Sequence, residues 1–194
     1  MKISKLTATA SGVFVVLLAV GGWLLFKPPA HGPLSSLIEG GQPLITDSGG
    51  PVQPGEPHIA TAYVVNSSDD PATLVSASLV PVTGLPAARL AHVAVDTNHD
   101  YNVAGRDWPP GVPIEPLPGA RLGHGQTGVV FAVTGPRRGT FSAAGLKLTY
   151  RWHGSTYSVI AWSVSVACIH VDGSACSHAL DIATHRTEKM AGTS

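Results

Sequence analysis

The residues best able to do chemistry lie near the C-terminus, where Cys168-Ile169-His170 and Cys176-Ser177-His178 repeat a Cys-x-His unit around Val171-Asp172-Gly173-Ser174-Ala175. With Asp172-Gly173 at the tip of a hairpin, Cys168 comes opposite Cys176, and strand alternation turns all four side chains to one face. Two chemistries follow. In an oxidising compartment, cysteines on paired strands form a disulfide that stabilises the fold by closing a small loop. If the thiols stay reduced, Cys168, His170, Cys176 and His178 form a Cys₂His₂ ligand set suited to Zn²⁺ or a copper ion. The disulfide is the expected reading and the metal centre the alternative.

Three further segments place polar or aromatic groups at suggestive spacings. Asp96, Asn98 and Asp100 put oxygen ligands at alternate positions, and Asp107 falls at the twelfth position of a calcium loop. Tyr101 stands where that pattern needs glycine, so an Asx-rich turn between strands is the competing account. Gly123-His124-Gly125-Gln126-Thr127-Gly128 has dinucleotide-loop glycines but runs into Val129-Val130-Phe131-Ala132-Val133, a strand pattern, which leaves a phosphate no helix N-terminus to meet. Trp108, on the proline-stiffened Asp107-Trp108-Pro109-Pro110-Gly111 stretch, is a candidate ligand-binding side chain, or else folds back on the core. His58, His92, His99, His124, His153 and His185 are scattered, and the chain lacks a Gly-x-Ser-x-Gly elbow, a His-Glu-x-x-His helix and a glycine-lysine phosphate loop. No catalytic residue, enzymatic activity or cofactor is expected.

The elements that must position these groups read as short strands. Runs rich in β-branched and aromatic residues occur at Ile59 to Val65, Thr73 to Val82, Arg89 to Val95, Ala120 to Leu122, Gly128 to Thr134, Leu146 to Trp152 and Tyr157 to Cys168. The turn His153-Gly154-Ser155-Thr156 makes the last two an antiparallel hairpin. Ile160, Trp162, Val164 and Val166 alternate with Ser163 and Ser165, which predicts one buried and one exposed face. The 22 glycines and 16 prolines suit strands joined by tight turns.

Ahead of this domain, residues 28–56 carry six prolines among glycines and serines and read as an extended spacer. Residues 1–27 read as a signal anchor: Leu6 to Phe26 is uncharged, Lys2 and Lys5 precede it, and about 20 residues span a hydrocarbon core of roughly 30 Å. This predicts a single-pass cell-membrane protein with a cytoplasmic N-terminus and the domain at 57–185 outside, ending in a flexible tail at 186–194; cleavage as a signal peptide is the other reading. Twelve basic side chains balance twelve acidic ones, so a nucleic-acid partner is not expected.

Through Tyr63-Val64-Val65, the turn from Asn66 to Pro71 and the late Leu-x-Leu-x-Tyr hairpin ending in Cys168, the plan resembles immunoglobulin-like ectodomains of single-pass bacterial envelope proteins. The resemblance implies an all-β, antiparallel sandwich of about seven strands behind one transmembrane helix. It also implies a non-catalytic module that binds an envelope protein or cell-wall component through loops or an exposed sheet edge.

Overall fold

Strands occupy every one of the seven β-like runs, because Val, Ile, Thr and aromatic side chains pack well on a pleated, half-buried surface. A computed structural model describes residues 31–97, 108 and 112–192. In chain order these form β1 (Leu34–Ser36), β2 (Ile38–Glu39), β3 (Gln42–Pro43), β4 (Thr46–Val52), β5 (His58–Asn66) and β6 (Ala72–Val80). Then come β7 (Arg89–Asp96), β8 (Ile114–Pro116), β9 (Arg121–Leu122), β10 (Gly125–Thr134), β11 (Gly139–Trp152) and β12 (Ser155–Ile169), with helix α1 (Gly173–Ala191) last. One sheet has the order β1-β5-β10-β7-β8 and the other β4-β12-β11-β6-β9, while β2 and β3 form a separate small hairpin.

The two sheets enclose the main core. Alternate residues of β5 (Ala60, Ala62, Val64) and β10 (Val129, Phe131, Val133) meet Leu146, Leu148 and Tyr150 of β11 between the layers. Each large side chain among them adds about 1.5–3 kcal/mol on full burial. The β11–β12 hairpin closes in the expected place, with Trp152 opposite Ser155 and only two residues between them. Both of these, His153 (φ 48°) and Gly154 (φ 78°), have positive φ, the backbone that lets a two-residue turn follow the strands' right-handed twist.

Several expectations are corrected. The all-β sandwich is present, but a helix is added to it: α1 covers residues read as a strand end and a flexible tail. The sandwich is not wholly antiparallel, since β4 runs parallel to β12, with Thr46 opposite Ser163 and Val52 opposite Ile169. That pairing also corrects the spacer: residues of 28–56 supply β1, which pairs with β5, and β4, an edge of the second sheet. A proline-rich stretch can do this because an edge strand needs ladder hydrogen bonds on one side only.

The transmembrane helix in the expected fold, and the membrane localisation built on it, are corrected as well. Among the described residues no helix is long and apolar enough to cross a membrane. The helix that is present, α1, carries Asp181, His185, Arg186, Glu188 and Lys189. The stretch from Leu6 to Phe26 lies outside the described residues.

The alternation in β12 marks a different face from the one expected. Val164, Val166 and Cys168 point out of the sandwich into a second apolar cluster with Val82, Ala144, Cys176 and Ala183, formed where α1 lies on the sheet. Ser163 and Ser165 face the other way and are also buried. Ser163 is accommodated by hydrogen bonding, its Oγ donating to the Thr61 carbonyl oxygen at 2.9 Å and accepting from Thr46 Oγ1 at 2.9 Å.

Candidate functional site

The Cys-x-His units are brought together only in part. Cys168 is near the end of β12, and the chain then reverses through His170, whose φ is 50°. Asp172 caps α1: its Oδ1 accepts from the Ala175 backbone N–H at 2.9 Å and the Ser174 hydroxyl at 2.6 Å. Those bonds, the Ser174 hydroxyl first, hold the exposed carboxyl below its ordinary range. The cap directs the first turn of α1 so that Cys176 faces the sheet and is disulfide-bonded to Cys168, their Cα atoms 5.8 Å apart.

The expected disulfide is therefore present, but it joins a strand to a helix instead of two strands of a hairpin. The alternative Cys₂His₂ set is corrected with it, because both sulfurs are bonded to each other and neither is a thiolate. His170 and His178 are solvent-exposed, and among the described residues no three His, Cys, Asp or Glu side chains converge as metal ligands would.

Of the calcium-loop residues, Asp96 is the last residue of β7 and is buried, while Asn98, Asp100 and Asp107 lie outside the described residues. Asp96 lies near Tyr63 of β5. The Tyr63 phenol is pushed above its ordinary pKa, by burial first and by the Asp96 charge second. Trp108 folds back: its ring stacks on His92 at 5.0 Å and packs against the outer-face cluster of Ile59, Val130 and Ala132. Only Gly123 and His124 form the bend between β9 and β10; Gly125, at φ 101°, and Gly128 already belong to β10, so the expected turn is shorter and the strand begins earlier. His124 and His153 sit at one end of the sandwich, 3.7 Å from Asp69 and 2.8 Å from Asp70 respectively.

A different feature emerges when the sheet edges are compared. An edge strand offers unpaired N–H and C=O groups to any extended chain, and proteins blunt it with charge, proline, glycine kinks or brevity. β1 has three residues behind Pro33; β8 has three, ends in Pro116 and follows Pro113. β4 carries Asp47, Gly49, Gly50 and Pro51. Beyond the reach of β8, the edge of β7 bears Arg89 and His92.

β6 is the exception. Its sequence, Ala-Thr-Leu-Val-Ser-Ala-Ser-Leu-Val, has no charge, proline or glycine. β9 pairs only with Ala72 and Thr73, and Leu74 exchanges backbone bonds of 2.9 Å with Gly119 and Ala120. From Val75 to Val80, β11 lies on one side, and on the other no backbone partner occurs among the described residues. Val75, at a bulge, is 38% exposed, and Ser76 and Ser78 are exposed too.

No family model and no curated protein sequence matches this chain. Among solved structures it is similar to an ASH / PapD-like domain of human CEP192 (PapD-like domain 7), at 11% identity and a TM-score of 0.39, covering 89% of this chain and 99% of that one.

Proposed function

We propose that this chain is a non-catalytic binding module that captures an extended segment of a partner protein by adding it as a strand to the β6 edge. The observation that carries the reading is the contrast among edges: Val75–Val80 is uncharged and open, while the others are short, charged or broken by proline and glycine. Strand addition draws affinity from main-chain hydrogen bonds and specificity from alternate side chains. β6 supplies both, with backbone groups along its open side and Ser76 and Ser78 exposed beside them.

The test is a screen of the full chain against displayed random decapeptides, followed by titration of recovered peptides. Bound peptide is expected to slow amide hydrogen exchange within residues 75–80. The double variant Ser76→Lys/Ser78→Lys, which charges the edge as natural edges are charged, is expected to lose binding at least about tenfold with an unchanged melting temperature. Peptides whose binding ignores these substitutions and protects other strands would overturn the reading. So would concentration-dependent dimerisation that protects β6 without peptide, since the occupant would then be a second copy.

A further inference from the structure

Close to the end of β6 the chain builds a second feature that the strand edge does not explain. Pro81 and Val82 lead from Val80 into a tight turn at Thr83-Gly84, where the Leu85 N–H donates to the Val82 carbonyl oxygen at 3.2 Å. Thr83 is three residues past Val80, so it lies within about 11 Å of the strand's last Cα. Against this turn lies the last part of α1. Thr83, Gly84, Arg186, Lys189 and Met190 line an open groove of about 480 Å³.

The groove is built around a cation. Arg186 Nη1 donates to the Thr83 carbonyl oxygen at 2.8 Å, which fixes one nitrogen of the guanidinium and leaves further N–H groups for a ligand. Gly84, at φ 73°, lies against it: a Cβ there would come within 2.7 Å of Arg186 Nη1, so the guanidinium would have to shift. The Thr83 hydroxyl reaches Met190 Sδ at 3.6 Å, so the opposite wall is held as well. Lys189, one helix position before Met190, is exposed beside the guanidinium. Among the described residues neither Arg186 nor Lys189 has a carboxylate within ion-pair distance, and nearby Glu188 lies 3.6 Å from His185.

A positioned guanidinium with a free face and an adjacent ammonium is a carboxylate receptor, because charge-assisted bonds from such a fork outcompete neutral ones. We infer that the segment captured on β6 is acidic at one end, and that its Asp, Glu or terminal carboxylate seats in the groove on Arg186 and Lys189. The inference rests on strand addition at β6 and extends it by naming the partner's chemistry: an extended peptide of neutral, alternating side chains carrying carboxylates where it passes α1. The groove fixes which end of the peptide lies there, so it also sets the direction of the added strand.

Three labelled decapeptides test this on the full chain: one of alternating valine with serine or threonine, and two in which the first or the last two residues are glutamate. Binding is read by fluorescence anisotropy, and strand addition separately by hydrogen-exchange protection of residues 75–80. One acidic peptide is expected to bind about three- to tenfold more tightly than the neutral one. The advantage should shrink in high salt and vanish in Lys189→Gln combined with Arg186→Gln. Lys189→Gln alone, at an exposed position, is expected to lose part of the preference without affecting folding. Equal binding of all three peptides with β6 protected would overturn the acidic inference and leave strand addition standing. Acid-dependent binding without β6 protection would overturn strand addition, and with it the continuity between the β6 edge and the groove. Failure of all three to bind would overturn both.

Discussion

Gly145 of β11 faces Ala161 and Trp162 of β12 across a β-bulge, at φ 152°, in a space so tight that a Cβ on Gly145 would collide with the Ala161 carbonyl oxygen. The bulge lets β11 pair with β12 along its whole length and with β6 only from Gly145 onward. Gly145→Ala is therefore expected to cost at least about 2 kcal/mol, from the collision and the strained backbone together. Urea unfolding monitored by tryptophan fluorescence would check it; a loss under about 0.5 kcal/mol would mean that the bulge relaxes freely.

Asn66 ties the turn after β5 to β9. Its Nδ2 donates to the carbonyl oxygens of Asp70 (3.1 Å) and Leu122 (3.0 Å), while its Oδ1 accepts from the Ser68 N–H at 2.9 Å. The side chain is buried, so Asn66→Ala leaves the Leu122 oxygen without this donor and is expected to destabilise by about 2–3 kcal/mol. Asn66→Asp should be no better, because it sets a carboxylate against two carbonyl oxygens. Equilibrium denaturation of both variants decides this.

The disulfide closes a loop of about nine residues, for which chain entropy gives about 2.5 kcal/mol. Only Cys176, Ala183 and Thr187 of the nineteen residues of α1 are buried, so the helix depends heavily on this tether. Cys168→Ala/Cys176→Ala is expected to lower stability by that amount and to reduce helical circular dichroism at 222 nm before the β-sheet signal is lost. Simultaneous loss of the two signals would show that α1 is cooperative with the sandwich.

Asp172 gives α1 a response to acid. Its pKa is lowered in the folded state from an ordinary 3.8 by the bonds from Ser174 and Ala175, so the stabilisation is fully present above that value and is lost as pH falls through the folded value. Asp172→Asn caps without titrating. The stability difference between wild type and Asp172→Asn should be constant above about pH 5 and change only below the ordinary carboxylate range. A difference that varies near neutral pH would mean that another group is responsible.

The strands were legible because their signal is local: Leu146, Leu148 and Tyr150 alternate with Lys147 and Thr149, and the first three are buried as that pattern implies. The helix was not. Its buried positions, Cys176, Ala183 and Thr187, have helical spacing, with Asp172 and Gly192 as caps, but alanine and threonine give an amphipathic pattern of low contrast. The cysteines misled in the same region, since Cys-x-His read as strand alternation places Cys176 on a hairpin. In β12 the serines looked solvent-facing because polarity was taken for exposure, whereas Ser163 is paired by Thr46 and Thr61. The β6 edge was visible only as an uncharged run; that it lies at an edge depends on which strands lie beside it, information that comes from long-range pairing.

The parallel pairing of β4 with β12 sets a timetable. Thr46 waits for Ser163, 117 residues later, so during synthesis the second sheet stays open on that side until β12 has left the ribosome. Until then β4 and the inner strands are unsatisfied, and the high contact order makes the closing step slow. β12 and α1 carry both the strand that seals the sheet and the cysteines that lock it, so chains truncated before β12 are expected to be aggregation-prone and not a smaller stable domain.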